Sequence, residues 1–140
     1  MKTWTVAGVI KLVLASVVAV LLALLGGWDK GIQILLIFVA LDIASGVFRA
    51  IIQKKVSSNE TYKGGLRKIL IFVVVAIGTQ VDRFAETNLV RNMVIAYYVA
   101  SEALSVLENV VASGVPVPPA LKKILAALGA EKFPPSAPDE

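Results

Sequence analysis

Hydrophobic positions in this chain fall into long runs the length of membrane spans, separated by a few short polar breaks. The first run, residues 12–28, carries no charge and is rich in Val, Leu and Ala. At about 1.5 Å per residue it covers roughly 25 Å, and residues 6–10 can extend it. Lys11 can snorkel from its near end, and Trp4 and Trp28 stand where interfacial anchors belong. A cleavable signal peptide is the competing reading. Lys2 and the apolar core suit it, but no small-x-small cleavage pattern follows the core. The run Gly26, Gly27, Trp28, Asp29, Lys30, Gly31 makes a short turn.

Residues 32–52 form a second run long enough to span. Residues 53–68 are polar and read as a basic loop holding Lys54, Lys55, Lys63, Arg67 and Lys68. The third run, residues 69–81, covers only roughly 20 Å. It spans if residues 66–68 and 82–84 lengthen its helix, and is otherwise re-entrant or interfacial. The fourth, residues 93–111, is a span interrupted by Glu102 and Glu108. Gly114, Pro116, Pro118 and Pro119 stop it. Leu121, Ile124, Leu125 and Leu128 then recur at helical spacing beside Lys122 and Lys123. That short amphipathic helix can lie on an anionic membrane face or pack beneath the bundle. The pattern predicts an all-α integral membrane bundle, most simply of four short transmembrane helices, with three as the alternative. Its expected spans are 6–28, 32–52, 66–84 and 93–111 within a domain of residues 1–115. An amphipathic helix at 116–128 and a disordered tail at 129–140 complete the expectation.

Composition strengthens this picture. The hydrophobic fraction is 57% and the mean hydropathy +0.79, against about 45–50% apolar residues in soluble domains. There is no cysteine and no histidine, so disulfides, thiolate sites, the commonest general base and the commonest nitrogen ligand are all missing. No catalytic residue, metal site or cofactor is expected. The net charge of +4 reports topology rather than nucleic-acid binding, since no basic run alternates with aromatics. With both termini inside, the inner segments hold Lys2, Lys11, the five basic residues of the central loop, Lys122, Lys123 and Lys132; the outer loops hold only Lys30, Arg83 and Arg91. That bias favours four spans, with N- and C-termini cytoplasmic.

The candidate chemistry is four charges inside two oily segments: Asp42 and Arg49 in one, Glu102 and Glu108 in the other. A charge near the bilayer centre costs about 2.5–3.5 kcal/mol on insertion scales. Such residues persist where they meet a bundle interior, a sister subunit or water. Gly46 and Arg49 follow Asp42 at i+4 and i+7, on the same helix face. Glu102, Ser105, Glu108 and Asn109 form a matching stripe. Ala40 with Ala44, Gly46 with Ala50, and Ala96 with Ala100 permit close helix approach. Arg49 and Glu108 fall at similar depth and can form an ion pair. Asp42 and Glu102 both fall near mid-membrane, where either one is protonated or water reaches them. Helix-interface or pore-lining candidates are therefore Asp42, Gly46, Arg49, Glu102, Ser105, Glu108 and Asn109. Enzyme readings fare poorly: Asp42 and Asp82 lack an intramembrane aspartyl-protease context, and no phosphate-binding loop with Lys-Ser/Thr is present.

Four pieces then fall in a specific order: Leu41-Asp42-Ile43-Ala44-Ser45-Gly46-Val47; the basic stretch from Lys54-Lys55-Val56-Ser57-Ser58 to Gly65-Leu66-Arg67-Lys68; Tyr97-Tyr98-Val99-Ala100-Ser101-Glu102-Ala103-Leu104-Ser105-Val106-Leu107-Glu108-Asn109; and Gly114-Val115-Pro116-Val117-Pro118. In these pieces, over roughly residues 28–128, the chain resembles the family shared by phage lysis holins and toxin-secretion holins. Ser45 and Ser101 depart mildly from it, threonine and asparagine being common there. The resemblance implies a homo-oligomer in the bacterial inner membrane that opens lesions for an endolysin or a large toxin, without required direct contact and without nucleic acid. It carries over no catalytic residues. The alternative is a small four-helix transporter or ion channel. Small multidrug exporters, however, carry an essential acid in the first span, and this chain has none there. A non-conducting assembly subunit is the third reading.

Overall fold

The computed structural model describes residues 5–127, without the side chains of Glu60, Thr61, Lys122, Leu125 and Ala126. The expected tail at 129–140, and Lys2, Trp4, Leu128 and Lys132, lie outside the described residues. Five helices follow one another: α1 (Val6–Leu24), α2 (Lys30–Ile52), α3 (Ser58–Ala85), α4 (Leu89–Ala112) and α5 (Pro119–Ala127). No strand occurs among the described residues. Four of the helices are long and apolar enough to cross a membrane, and the protein is an all-α membrane bundle.

Helix ends follow local chemistry. α1 stops four residues before the expected bound at 28, because Gly26 and Gly27 adopt φ of +85° and +108° and cannot continue it. Asp29 caps α2 by accepting from the Ile32 N–H at 3.0 Å. At the far end Lys55 N–H reaches the Ala50 carbonyl at 2.9 Å, with Lys54 left-handed at φ +53°. Gly114, at φ +91°, stops α4.

The basic loop is corrected. Only residues 53–57 leave the helical conformation; Lys63, Arg67 and Lys68 belong to α3. Density of charge suggested a loop, yet Lys, Arg and Leu are good helix formers, and charged heads can reach water from a helix end. α3 is therefore the longest helix, at 28 residues, and it is long and apolar enough to cross a membrane, where the short apolar run leaves a re-entrant alternative.

α2, α3 and α4 make the core. α2 buries Ile32, Leu35, Val39 and Asp42, spaced three and four residues apart, which is the seam pattern of helices packed side by side. Ile71 and Val75 of α3 and Ile95 of α4 complete the buried apolar cluster. Gly78 lets α3 approach α4 closely: a Cβ there would stand 3.3 Å from the Arg91 Cα. α1 differs from the other spans, having no buried residue. Its polar ties to the bundle lie at its C-terminal end, through the carbonyls of Ala23, Leu24 and Leu25. α5 packs back against α4, while its Leu121 and Ile124 stay exposed.

Candidate functional site: charged layers inside the bundle

The buried seam is apolar in the middle and charged at both ends. The apolar layer is made by Leu35, Val39, Val75 and Ile95. On the side of the α2–α3 loop, α2 contributes Asp42, α4 contributes Glu102 and α3 contributes Lys68. The Lys68 ammonium bridges the two acids, with Nζ 2.7 Å from Asp42 Oδ2 and 2.5 Å from Glu102 Oε2. Asp42 is 8% exposed and Glu102 4%. Two acids at this depth require a proton, water or a cation. The cation is present, supplied from the third span. Each charge still carries a desolvation cost of several kcal/mol, which the close pairing offsets.

A hydrogen-bonded line continues along α2 and α4 from there. Asn109 Nδ2 donates to Asp42 Oδ1 at 3.2 Å and to Ser45 Oγ at 3.1 Å. Arg49 Nη1 donates to Asn109 Oδ1 at 3.3 Å, so it reaches one residue beyond the Glu108 expected from depth. Gln53 Nε2 donates to the Ala112 carbonyl at 3.3 Å. Gly46 sits under this line, where a Cβ would lie 3.6 Å from Asn109 Nδ2. Ser105 lines the adjacent cavity, as do Asp42, Gly46, Arg49 and Asn109. Glu108 is half-buried and does not line it. Of the small residues, Ala100 is buried while Ala40, Ala44 and Ala96 face outward.

The opposite end holds a second charged layer, which the hydrophobic pattern does not single out. Asp82 of α3 accepts from the backbone N–H of Val90 at 3.0 Å and of Arg91 at 2.8 Å, so it caps α4 from a neighbouring helix. Arg91 in turn donates from Nε to the Leu25 carbonyl at 2.6 Å and from Nη1 to Asp29 Oδ2 at 2.7 Å. One arginine thus ties the end of α1 to the start of α2. Its Nη2 is buried without a hydrogen-bond partner among the described residues. The Arg91 hydrogen bond holds the Asp29 carboxyl below the usual carboxylate value, against the opposing pull of burial.

The two charged layers lie roughly 16–21 Å apart along the helices, from the residue separations Asp29–Asp42, Lys68–Asp82 and Arg91–Glu102 at helical rise. A bilayer's hydrocarbon core is about 30 Å thick. Only a short plug of apolar side chains therefore divides two polar layers within one protomer. This arrangement holds charge inside a bundle of helices long and apolar enough to cross a membrane.

Comparison with known proteins agrees. Residues 7–130 match the family model described as the bacteriophage holin family. A probable holin of Bacillus phage phi105 is 33% identical over 97 residues, covering 69% of this chain and 72% of that protein. Uncharacterized proteins of Clostridium perfringens and Listeria monocytogenes are each 36% identical over 109 residues; these cover 76% and 77% of this chain, and 83% and 78% of the relatives. No solved structure matches. The membrane bundle with its charged seam and these matches lead to one assignment: the chain belongs to the bacteriophage holin family.

Proposed function

We propose that this protein is a holin that accumulates in the bacterial cytoplasmic membrane with both termini inside, self-associates and opens non-specific lesions. An endolysin, or a large toxin in related systems, then crosses without direct contact. The observation that carries this reading is the Asp42–Lys68–Glu102 bridge, two buried acids joined by a part-buried lysine between the helices. In the closed protomer the one lysine sits between both acids within the bundle. Moving α3 away from α2 and α4 separates the lysine from both acids. Charges left unpaired at that depth are stable only against sister subunits or water. Association of several protomers around such a surface gives a wetted lesion, with α1 and the outward small residues of α2 toward neighbours or lipid.

The test is dye release. The full chain is reconstituted into vesicles loaded with markers of increasing size. Size-tolerant release that rises steeply with protein density supports the reading. Asp42→Leu and Glu102→Leu should shift the density at which release begins. Transport confined to one substrate, or release unchanged in both variants, counts against it.

A further inference from the structure

Between α2, α3 and α4, beside the Lys68 bridge, lies an open cavity of about 500 Å³. Four cationic side chains, those of Arg49, Lys55, Arg67 and Lys68, face one carboxylate, Asp42, across it. Lys68 is already committed to two acids. Arg49, Lys55 and Arg67 leave the cavity with an excess of positive charge, and Lys55 and Arg67 are exposed. Its floor on α3 is Gly64 and Gly65, where an added Cβ would meet nothing within 4 Å. The same cavity has an apolar wall on α2. Ile43 and Val47, one helical turn apart, line it and are 44% and 40% exposed.

A cationic mouth joined to an apolar wall fits an amphiphile whose head is anionic. A free phosphate would use only the mouth. The cavity lies at the end of spans that enter a bilayer, so an acyl chain beside Ile43 and Val47 would continue into lipid. We infer that this cavity is a binding site for the phosphodiester headgroup of an anionic glycerophospholipid, held by Arg49, Lys55 and Arg67 with its chain along Ile43 and Val47. Basic pockets between spans recognise lipid headgroups by this chemistry. The site does not depend on lesion formation and can be occupied by a closed protomer.

The experiment uses the purified full chain in detergent and counts bound lipid by native mass spectrometry, with phosphatidylglycerol and phosphatidylcholine as probes and inorganic phosphate as competitor. Phosphatidylglycerol should be retained and phosphatidylcholine not, with phosphate at millimolar concentration displacing little of it. The double variant Lys55→Gln/Arg67→Gln should bind roughly thirtyfold more weakly. Gly65→Leu keeps every charge and fills the floor, and should lose retention as well. Gly65→Ala, milder and compatible with the helix, should show a smaller loss in the same direction. Equal retention of the two lipids overturns the proposal. So does loss in the charge variant with full retention in both Gly65 variants, which would mean diffuse surface attraction. Complete displacement by inorganic phosphate overturns the lipid as occupant.

Discussion

Lys68 Nζ stands 2.5 Å from Glu102 Oε2, joining α3 to α4 inside the bundle. The same nitrogen meets Asp42 of α2, so one lysine holds three spans. Removing one partner of a buried pair leaves an uncompensated charge, at a cost of about 3–5 kcal/mol. Lys68→Met should therefore lower the thermal stability of the purified protein more than any exposed lysine change, such as Lys63→Met. Replacing the whole cluster, as Asp42→Leu/Lys68→Met/Glu102→Leu, should recover most of that loss, since apolar residues of similar volume substitute well for buried ion networks. Thermal unfolding in one detergent compares all three. A triple variant no more stable than Lys68→Met would show that the bridge is not what is being lost.

At the opposite end, Gly26 and Gly27 separate two different demands. Both have positive φ, a conformation costing other residues about 1–3 kcal/mol. Only at Gly26 would a Cβ also strike a neighbour, at 2.6 Å from Arg91 Nε. Gly27 has open space around it. Gly26→Ala should thus destabilise more than Gly27→Ala, and it should break the Arg91 hydrogen bond to Leu25. In an Arg91→Ala background, which removes both Nε and Cδ, the gap should narrow to what the Thr79 Cγ2 contact at 3.2 Å leaves. Unfolding midpoints of the four variants give the answer; a gap undiminished in that background would place the clash elsewhere.

Asp29 supplies a pH prediction. Its folded carboxyl sits below the usual value of 3.8, chiefly through the Arg91 hydrogen bond. A depressed carboxylate adds stability at pH values above its unfolded pKa and loses it as pH falls through the folded value. The contribution should therefore be complete by about pH 5 and disappear below the folded pKa. It is small, because the Asp29 side chain is 48% exposed and solvent screens the pair. Other carboxylates titrate in the same range, so the useful measurement is the difference between the protein and Asp29→Asn from pH 7 to pH 3. That difference should narrow toward acid. A constant offset would mean that the Asp29 carboxyl titrates alike in the folded and unfolded chain, and that the Arg91 hydrogen bond does not depress it.

Much of this arrangement was legible in the residues, for a physical reason. Asp42, Gly46 and Arg49 share one face of α2 by simple helical spacing, and the structure puts that face against Asn109 of α4. The two acids were likewise readable as a problem requiring a partner. Lys68 was missed because it stood among other basic residues, where local charge density suggested a loop. Its signal was periodic: Lys68, Val75 and Asp82 recur every seven residues, and α3 turns that stripe inward. Asp82 and Arg91 were hidden for another reason. An aspartate at a span edge looks like an ordinary solvated end, and only the α3–α4 turn brings it under the N-terminus of α4. Caps supplied by a preceding helix depend on turn geometry that a linear pattern does not encode.

The thin apolar plug makes the last prediction. Val75 is fully buried between Leu35, Val39 and Ile95, midway between the charged layers. Asparagine at this position would bring an amide into a dry site, at about 1–3 kcal/mol when its hydrogen bonds are unmade. Water, or a parted helix seam, would relieve that cost. Both outcomes favour the open arrangement, so Val75→Asn should raise dye release at fixed protein density by roughly tenfold or more, the shift such a free-energy difference gives in a two-state balance. Val75→Ile keeps the layer apolar and should change release much less. Equal release from Val75→Asn and the unaltered protein, both inserted to the same extent, would mean that this layer does not bar the route. Release reduced in Val75→Asn would mean that the added amide locks the spans together through a new hydrogen bond.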